Sequence, residues 1–175
     1  MTPCHDGSLR TGVSLIRDFA VGALALIVAA VGPGVAQATS TPSTQESRNA
    51  SLIADSFDKW TRGEGSMFDL LSDDANWEVA GVSPVSNVYE SKRALVEQAV
   101  QPIHAQLLGS ITPRVRHIVA QGDQVVVIWD GVATAKDGTS YENTYAWYLT
   151  MANGQVTGVL AFLDTWNLDR LMRKP

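Results

Sequence analysis

The spacing of apolar residues changes character partway along the chain. Ala50, Ile53, Ala54, Phe57 and Trp60 recur at helical intervals, so they predict a helix with one apolar face. Gly63 and Gly65 end it. Met67, Phe68, Leu70 and Leu71 predict a second, short helix ahead of Asp73 and Asp74, and Trp77-Glu78-Val79 reads as a short strand. Ser91 is placed to cap a third helix whose stripe is Val96, Val100, Ile103 and Leu107. Pro102 kinks or splits that helix, and His104, just beyond, falls on its surface or rim. Period two then takes over. Residues 113–121, 124–135, 140–151 and 155–164 are rich in Val, Ile, Tyr and Trp and read as strands. Gly122-Asp123, Asp137-Gly138 and Asn153-Gly154 separate them as tight turns. Three helices followed by a four-stranded antiparallel meander predict an α+β domain, with the N-terminal helices packed on one face of the sheet.

The first residues read differently. Arg10 and Arg17 precede an apolar run from Phe19 to Val31, which Gly32-Pro33-Gly34 breaks before Ala36-Gln37-Ala38. Charged region, apolar core and small-x-small site come in the order of a signal peptide. The run is shorter than the roughly 20 residues of a membrane span. The expectation is therefore a signal peptide over 1–38, a disordered Ser/Thr/Gln-rich lead-in over 39–47, and a domain over 48–175. The protein would then be exported, periplasmic or secreted, after cleavage near Ala38; an uncleaved N-terminal membrane anchor is the alternative. Arg10 and Arg17 are not adjacent, so no twin-arginine signature is present.

Composition narrows the chemistry. The net charge of −5 and the lack of a basic block argue against nucleic acid as a partner. Cys4, the one cysteine, leaves with the leader. Disulfides, zinc–thiolate sites and a cysteine nucleophile are thereby excluded from the mature domain. No His-x-x-x-His or Glu-x-x-His spacing occurs, so no metal is expected. No cofactor is expected either.

Treating the three turns as two-residue hairpin loops fixes a register. Asp130 then faces Tyr145, Ile128 faces both Trp147 and His117, Tyr145 faces Phe162, and Asn143 faces Asp164. Directly paired residues share a face. One face would carry His117, Asp130, Asn143, Tyr145, Trp147, Phe162 and Asp164, and its bulk places it under the helices. The other would carry Arg114, Arg116, Trp129, Glu142, Thr144, Tyr148 and Ala161. Two carboxylates and a histidine beneath helices conflict with the cost of burying charge, which a cavity holding water or ligand would resolve. A bulge in any strand would exchange the faces.

Trp77-Glu78-Val79, Ser83-Pro84-Val85-Ser86, Tyr89, the run Tyr141-Glu142-Asn143-Thr144-Tyr145-Ala146-Trp147 and Leu163-Asp164-Thr165 together resemble the SnoaL-like branch of the nuclear transport factor 2-like superfamily. That superfamily includes ketosteroid isomerase, limonene epoxide hydrolase and polyketide cyclases. The resemblance runs from about residue 48 to 172. It implies a cone-shaped fold with a curved sheet, an apolar cavity and frequent homodimers, but no single activity. Val79 stands where ketosteroid isomerases carry their general-base aspartate. Ile128 stands two before Asp130, where limonene epoxide hydrolases carry arginine. Neither chemistry carries over. Asp164 matches an aspartate common near the end of the last strand, where it is often structural.

These readings give three candidate functions. An acid–base isomerase, cyclase or hydrolase would use Asp130 and His117 as catalytic groups, with Tyr145 donating a hydrogen bond. A non-catalytic binder would hold a small apolar or aromatic molecule among Tyr145, Trp147, Asn143, Asp164, Phe162, Trp77 and Tyr89. An interaction module would dimerise or dock a partner through the exposed sheet face. Asp164 has a second reading as the N-cap of a terminal helical turn through Leu168 to Met172.

Overall fold

The computed structural model describes residues 43–173. The leader expected over 1–38 and the start of the lead-in lie outside them. The rest of the lead-in is helical, not disordered. Helix α1 runs Thr44–Thr61, and Ser43 and Glu46 form a reciprocal capping box at its start. The serine hydroxyl accepts from the Glu46 amide while the glutamate accepts from the Ser43 amide, which satisfies two otherwise unpaired helix donors. Glu46 also accepts from the Gly122 amide at the Gly122-Asp123 turn, and Asn49 donates to the Gly122 carbonyl. The polar N-terminus of the helix is thus tied to the sheet, an anchorage that a Ser/Thr/Gln-rich composition does not advertise.

A short 3-10 helix, Met67–Leu70, leads into β1 (Leu71–Val79), and β2 (Asn87–Tyr89) returns beside it. The covering segment follows as α2 (Lys92–Leu95), a π-helical turn (Val96–Val100) and α3 (Gln101–His104). Ser91 caps it by accepting from the Ala94 amide, as its position predicts. Pro102 lacks an amide hydrogen, and its ring would clash with the carbonyl four residues back in a regular helix. The chain accommodates it by widening: the Gln101 amide donates to Val96, five residues back. Strands β3 (Thr112–Gln121), β4 (Gln124–Thr134), β5 (Ser140–Ala152) and β6 (Gln155–Leu163) fall where period two places them, and α4 (Thr165–Met172) closes the described chain.

The sheet has six strands in the order β2-β1-β6-β5-β4-β3. The four C-terminal strands form the expected meander, but β1 pairs parallel to β6, so the curved sheet is mixed rather than purely antiparallel. Burial along β5 alternates strictly, with Tyr141, Asn143, Tyr145, Trp147, Leu149 and Met151 facing inward.

Register is where the sequence reading needs correction. The β4–β5 loop has three residues, not two: the Ala135 amide donates to the Thr139 carbonyl, and Gly138 takes φ +83°. A three-residue loop of this kind needs a glycine in left-handed conformation at its last position, and Asp137-Gly138 supplies it. The pairing therefore slips by one, so that Trp129 faces Tyr145 and Asp130 faces Thr144. Irregularities between Val115 and His117 and between Thr150 and Met151 shift the flanking strands to match. Because side chains alternate, a one-residue slip exchanges the faces. Trp129 and Ala161 move inside, and Asp130 and Phe162 move outside.

Gly131 lies on the inward side of β4 between the aromatic rings. A Cβ there would meet Ile111 Cγ2 at 2.8 Å, Trp129 Cζ3 at 3.0 Å and Tyr145 Cε2 at 3.1 Å. Gly131→Ala is expected to destabilise the domain by ~1–3 kcal/mol through overpacking, measurable by urea denaturation.

Candidate functional site

Aromatic side chains from five elements converge above the inner face. Trp129 of β4 stacks on Tyr145 of β5, with ring centroids 4.0 Å apart and planes 8° apart. Trp147 meets Trp129 edge-on at 4.7 Å, and Trp77 of β1 meets Trp147 edge-on at 4.9 Å. Trp60 of α1 lies 5.2 Å from Trp129, and Phe68 of the 3-10 helix bridges Trp60 and Trp77 at 5.7 Å from each. Flat rings leave wedges where they meet at steep angles. Here they enclose a cavity of about 80 Å³, closed by Leu95, Val100 and Ile103 of the covering segment and by Leu168 of α4. His104, solvent-exposed at the end of α3, also lines it. Among the described residues, no carboxylate does.

A buried hydrogen-bond chain reaches the cavity. Asn143 donates to the Asp164 carbonyl and accepts from the Asp164 amide, each at 3.0 Å. It also donates to the Tyr141 hydroxyl at 3.0 Å, and Tyr141 lies 2.9 Å from the Tyr145 hydroxyl. Both amide hydrogens of Asn143 are used, and the Tyr141 oxygen already accepts one. Either hydroxyl can donate in the Tyr141–Tyr145 bond, and with Tyr141 as the donor the Tyr145 proton is free to meet a further acceptor. Burial pushes the Tyr145 phenol well above its ordinary pKa and raises that of Tyr141. Both remain neutral at any physiological pH, so Tyr145 is a donor and not a base. A buried donor on this wall, Trp129 Nε1, lacks a partner among the described residues.

The structure separates the residues that the sequence grouped. Tyr145, Trp147 and Trp77 line the cavity. Asn143 stands behind it as the start of the hydrogen-bond chain. Tyr89 is buried but lines an adjoining groove. Asp164 caps α4 by accepting from the Asn167 amide, in keeping with its structural reading. Phe162 is 52% exposed on the outer face. His117 is exposed on the edge strand β3, opposite Ile128. Among the described residues, no group of three His, Cys, Asp or Glu side chains is placed to hold a metal ion.

Asp130 is the main correction. It lies on the outer face, where Arg114 Nη2 and Arg116 Nε each donate to Oδ2 at 2.8 Å and Thr144 donates to Oδ1 at 2.9 Å. Arg116 is the unpaired residue of the β3 irregularity, which lets both guanidinium groups reach one carboxylate. The Arg116 hydrogen bond, opposed by desolvation and aided by Thr144 and Arg114, holds this carboxyl down to about 2. A carboxylate so acidic and so fully engaged is a poor general base near neutrality. Residues that the sequence reading left out of the site are Trp60, Trp129, Leu95, Val100 and His104. Trp129 was recoverable: only the slipped register brings Trp129 inside beside Trp147 and sets Asp130 against two arginines.

The comparisons agree with this architecture. The SnoaL-like domain family matches residues 53–159. Bal32a from a soil-derived mobile gene cassette is similar in structure, with a TM-score of 0.62 and 18% identity over 74% of this chain and 99% of its own. An NTF2-like protein from Burkholderia thailandensis has a TM-score of 0.59 and 17% identity, covering 72% of this chain and 98% of its own. TerC, co-crystallised with polyporic acid, has a TM-score of 0.58 and 19% identity, covering 73% of this chain and 99% of its own. No curated protein matches the sequence.

The Asp130 cluster has a pH signature. Its carboxyl titrates near 2 in the fold against an ordinary value of 3.8, so the cluster stabilises fully above the ordinary value and is lost as pH falls through 2. Melting temperatures measured across that acid range should fall less steeply for Asp130→Asn than for the parent. Parallel curves would show that the ion pairs add nothing.

Proposed function

We propose, for a chain that belongs to the SnoaL-like domain family, that the domain binds a small, largely apolar, ring-bearing molecule that accepts a hydrogen bond from Tyr145. The fold hosts many functions, so the reading rests on the site. One observation carries it: the Tyr145 hydroxyl, bonded to Tyr141, and Trp129 Nε1, a buried donor without a partner among the described residues, belong to the wall of an aromatic-lined cavity. A buried donor without a partner costs ~1–3 kcal/mol, which a ligand oxygen would recover. The surrounding rings favour a flat apolar body. TerC, which shares the fold, was crystallised with polyporic acid, which supports a small-molecule guest for this architecture.

Binding is favoured over acid–base turnover because, among the described residues, the cavity lining contains no carboxylate and a single imidazole, His104. Turnover in this cavity would fall to His104, since the Tyr145 phenol holds its proton at physiological pH.

A matched pair of probes tests the reading. Acetophenone carries the acceptor, and ethylbenzene has the same ring without it. Both are expected to change tryptophan fluorescence saturably, because four tryptophans wall the cavity. Tyr145→Phe should weaken acetophenone about tenfold, the worth of one buried hydrogen bond, and leave ethylbenzene unchanged. Equal loss for both, or no saturable response to either, would remove the reading.

Export is part of the same proposal. Cleavage after Ala38 of the 175-residue chain leaves 137 residues, and the intact mass of protein recovered from the exported fraction checks it. The mass of the full chain in a membrane fraction would indicate an anchor instead.

A further inference from the structure

The aromatic cavity has a neighbour. A groove of about 370 Å³ runs beside it between the β1–β2 loop, the covering segment and α4, walled by Pro84, Val85, Tyr89, Pro102 and Met172. The two spaces share four wall residues: Val79, Ala99, Ile103 and Leu168. Each is aliphatic, so the partition contains no side-chain hydrogen bond to break. Two of the four, Ala99 and Ile103, belong to the covering segment, where the π turn and Pro102 interrupt the regular helical ladder.

Size points the same way. An apolar cavity of about 150 Å³ takes up benzene, and ligand pockets span roughly 300–1,000 Å³. At about 80 Å³ the aromatic cavity is too small for a ring as it stands, whereas the groove is within the range. A ring entering the cavity must push on its walls, and the wall of Val79, Ala99, Ile103 and Leu168 is shared with the groove.

The far side of the groove is held in shape. The Ser83 amide donates to Ser86 Oγ at 3.2 Å, and Ser86 Oγ donates to the Ala80 carbonyl at 3.1 Å. Asp169, the carboxylate on this wall, is paired with Arg173 at 2.7 Å. What remains for an occupant is a mainly apolar channel, with the neutral side chains of Asn87 and Gln98 also lining it.

We propose that cavity and groove are two compartments of one site, and that its ligand is an uncharged aryl ketone or similar ring with an acceptor, carrying a long hydrocarbon tail. The ring lies against Trp129 and Tyr145. The tail crosses the partition at Ala99 and Ile103 and lies along Pro84, Val85 and Met172. This inference rests on the ring-binding reading and extends it from a one-ring guest to an elongated one.

The phenyl ketones from acetophenone through hexanophenone to decanophenone test it. Affinity, followed by tryptophan fluorescence, should rise with each added methylene, by up to about fourfold, until the groove is filled. A decanophenone with a diazirine at the end of its tail should, on irradiation, label residues 84–89, 98–103 or Met172, as mapped by peptide mass spectrometry. If acetophenone binds and its longer homologues bind no tighter, the second compartment is overturned and the ring-binding reading stands. Tail labels on the outer sheet face would also overturn it. If no member of the series binds, both fail together.

Discussion

A turn of three residues rather than two decides which side of the sheet each residue of β4 and β5 faces. With Gly138 in left-handed conformation and Ala135 bonded to Thr139, Trp129 falls opposite Tyr145 and every other pairing follows. The inner face becomes aromatic and uncharged. The outer face collects Asp130, Arg114, Arg116 and Thr144 into one ion-paired cluster that stays within reach of water. The alternative register would bury a carboxylate beneath tryptophans, at a cost no ion pair on that face would offset. Turn geometry and charge burial thus select the same pairing, and the helices pack on its result.

The inner surface is built from rings rather than branched aliphatics, and this shapes the site. Each aromatic contact adds about 0.5–1.5 kcal/mol beyond area burial, so the cluster is a strong wall. Rings set edge to face cannot fill every wedge between them, and the residual space is lined by the same wall. Rigidity comes from β4, β5 and α1, while closure comes from the covering segment with its widened turn. The Asn143–Tyr141–Tyr145 chain lies along β5 and supplies polarity to an otherwise apolar space.

The strands were legible in the sequence because period two, Val/Ile/Tyr/Trp content and glycine turns all agreed. The cap at Ser91 and the disruption at Pro102 were legible for the same reason, since each is a local effect. The faces were not, because Asp137-Gly138 suits a two-residue and a three-residue loop equally. The conflict noted in the sequence, two carboxylates and a histidine under helices, was the sign that the register was displaced by one. Of the expected site, Tyr145, Trp147 and Trp77 stand in the cavity because they alternate correctly along their own strands. Asp130, His117 and Phe162 left it because their placement depended on pairing across strands. The nine-residue length of β1 was hidden by its polar centre, Ser72 to Asp74, which reads as loop until β6 is known to lie beside it. The helical state of residues 44–47 was hidden because its anchor, Gly122, is distant in sequence.

The parallel pairing of β1 with β6 has a consequence for how the domain comes into being. Leu71 and Val156 are partners, so the first long strand must wait for nearly the whole polypeptide to be synthesised before its central neighbour exists. Until then β1 and β5 each present an open edge, the condition under which chains pair with the wrong partner. Contacts this distant in sequence also form slowly, because the intervening loop must close first. The interval between the ribosome's completion of β4 and its completion of β6 is therefore when a nascent chain of this topology most needs to be kept from its neighbours.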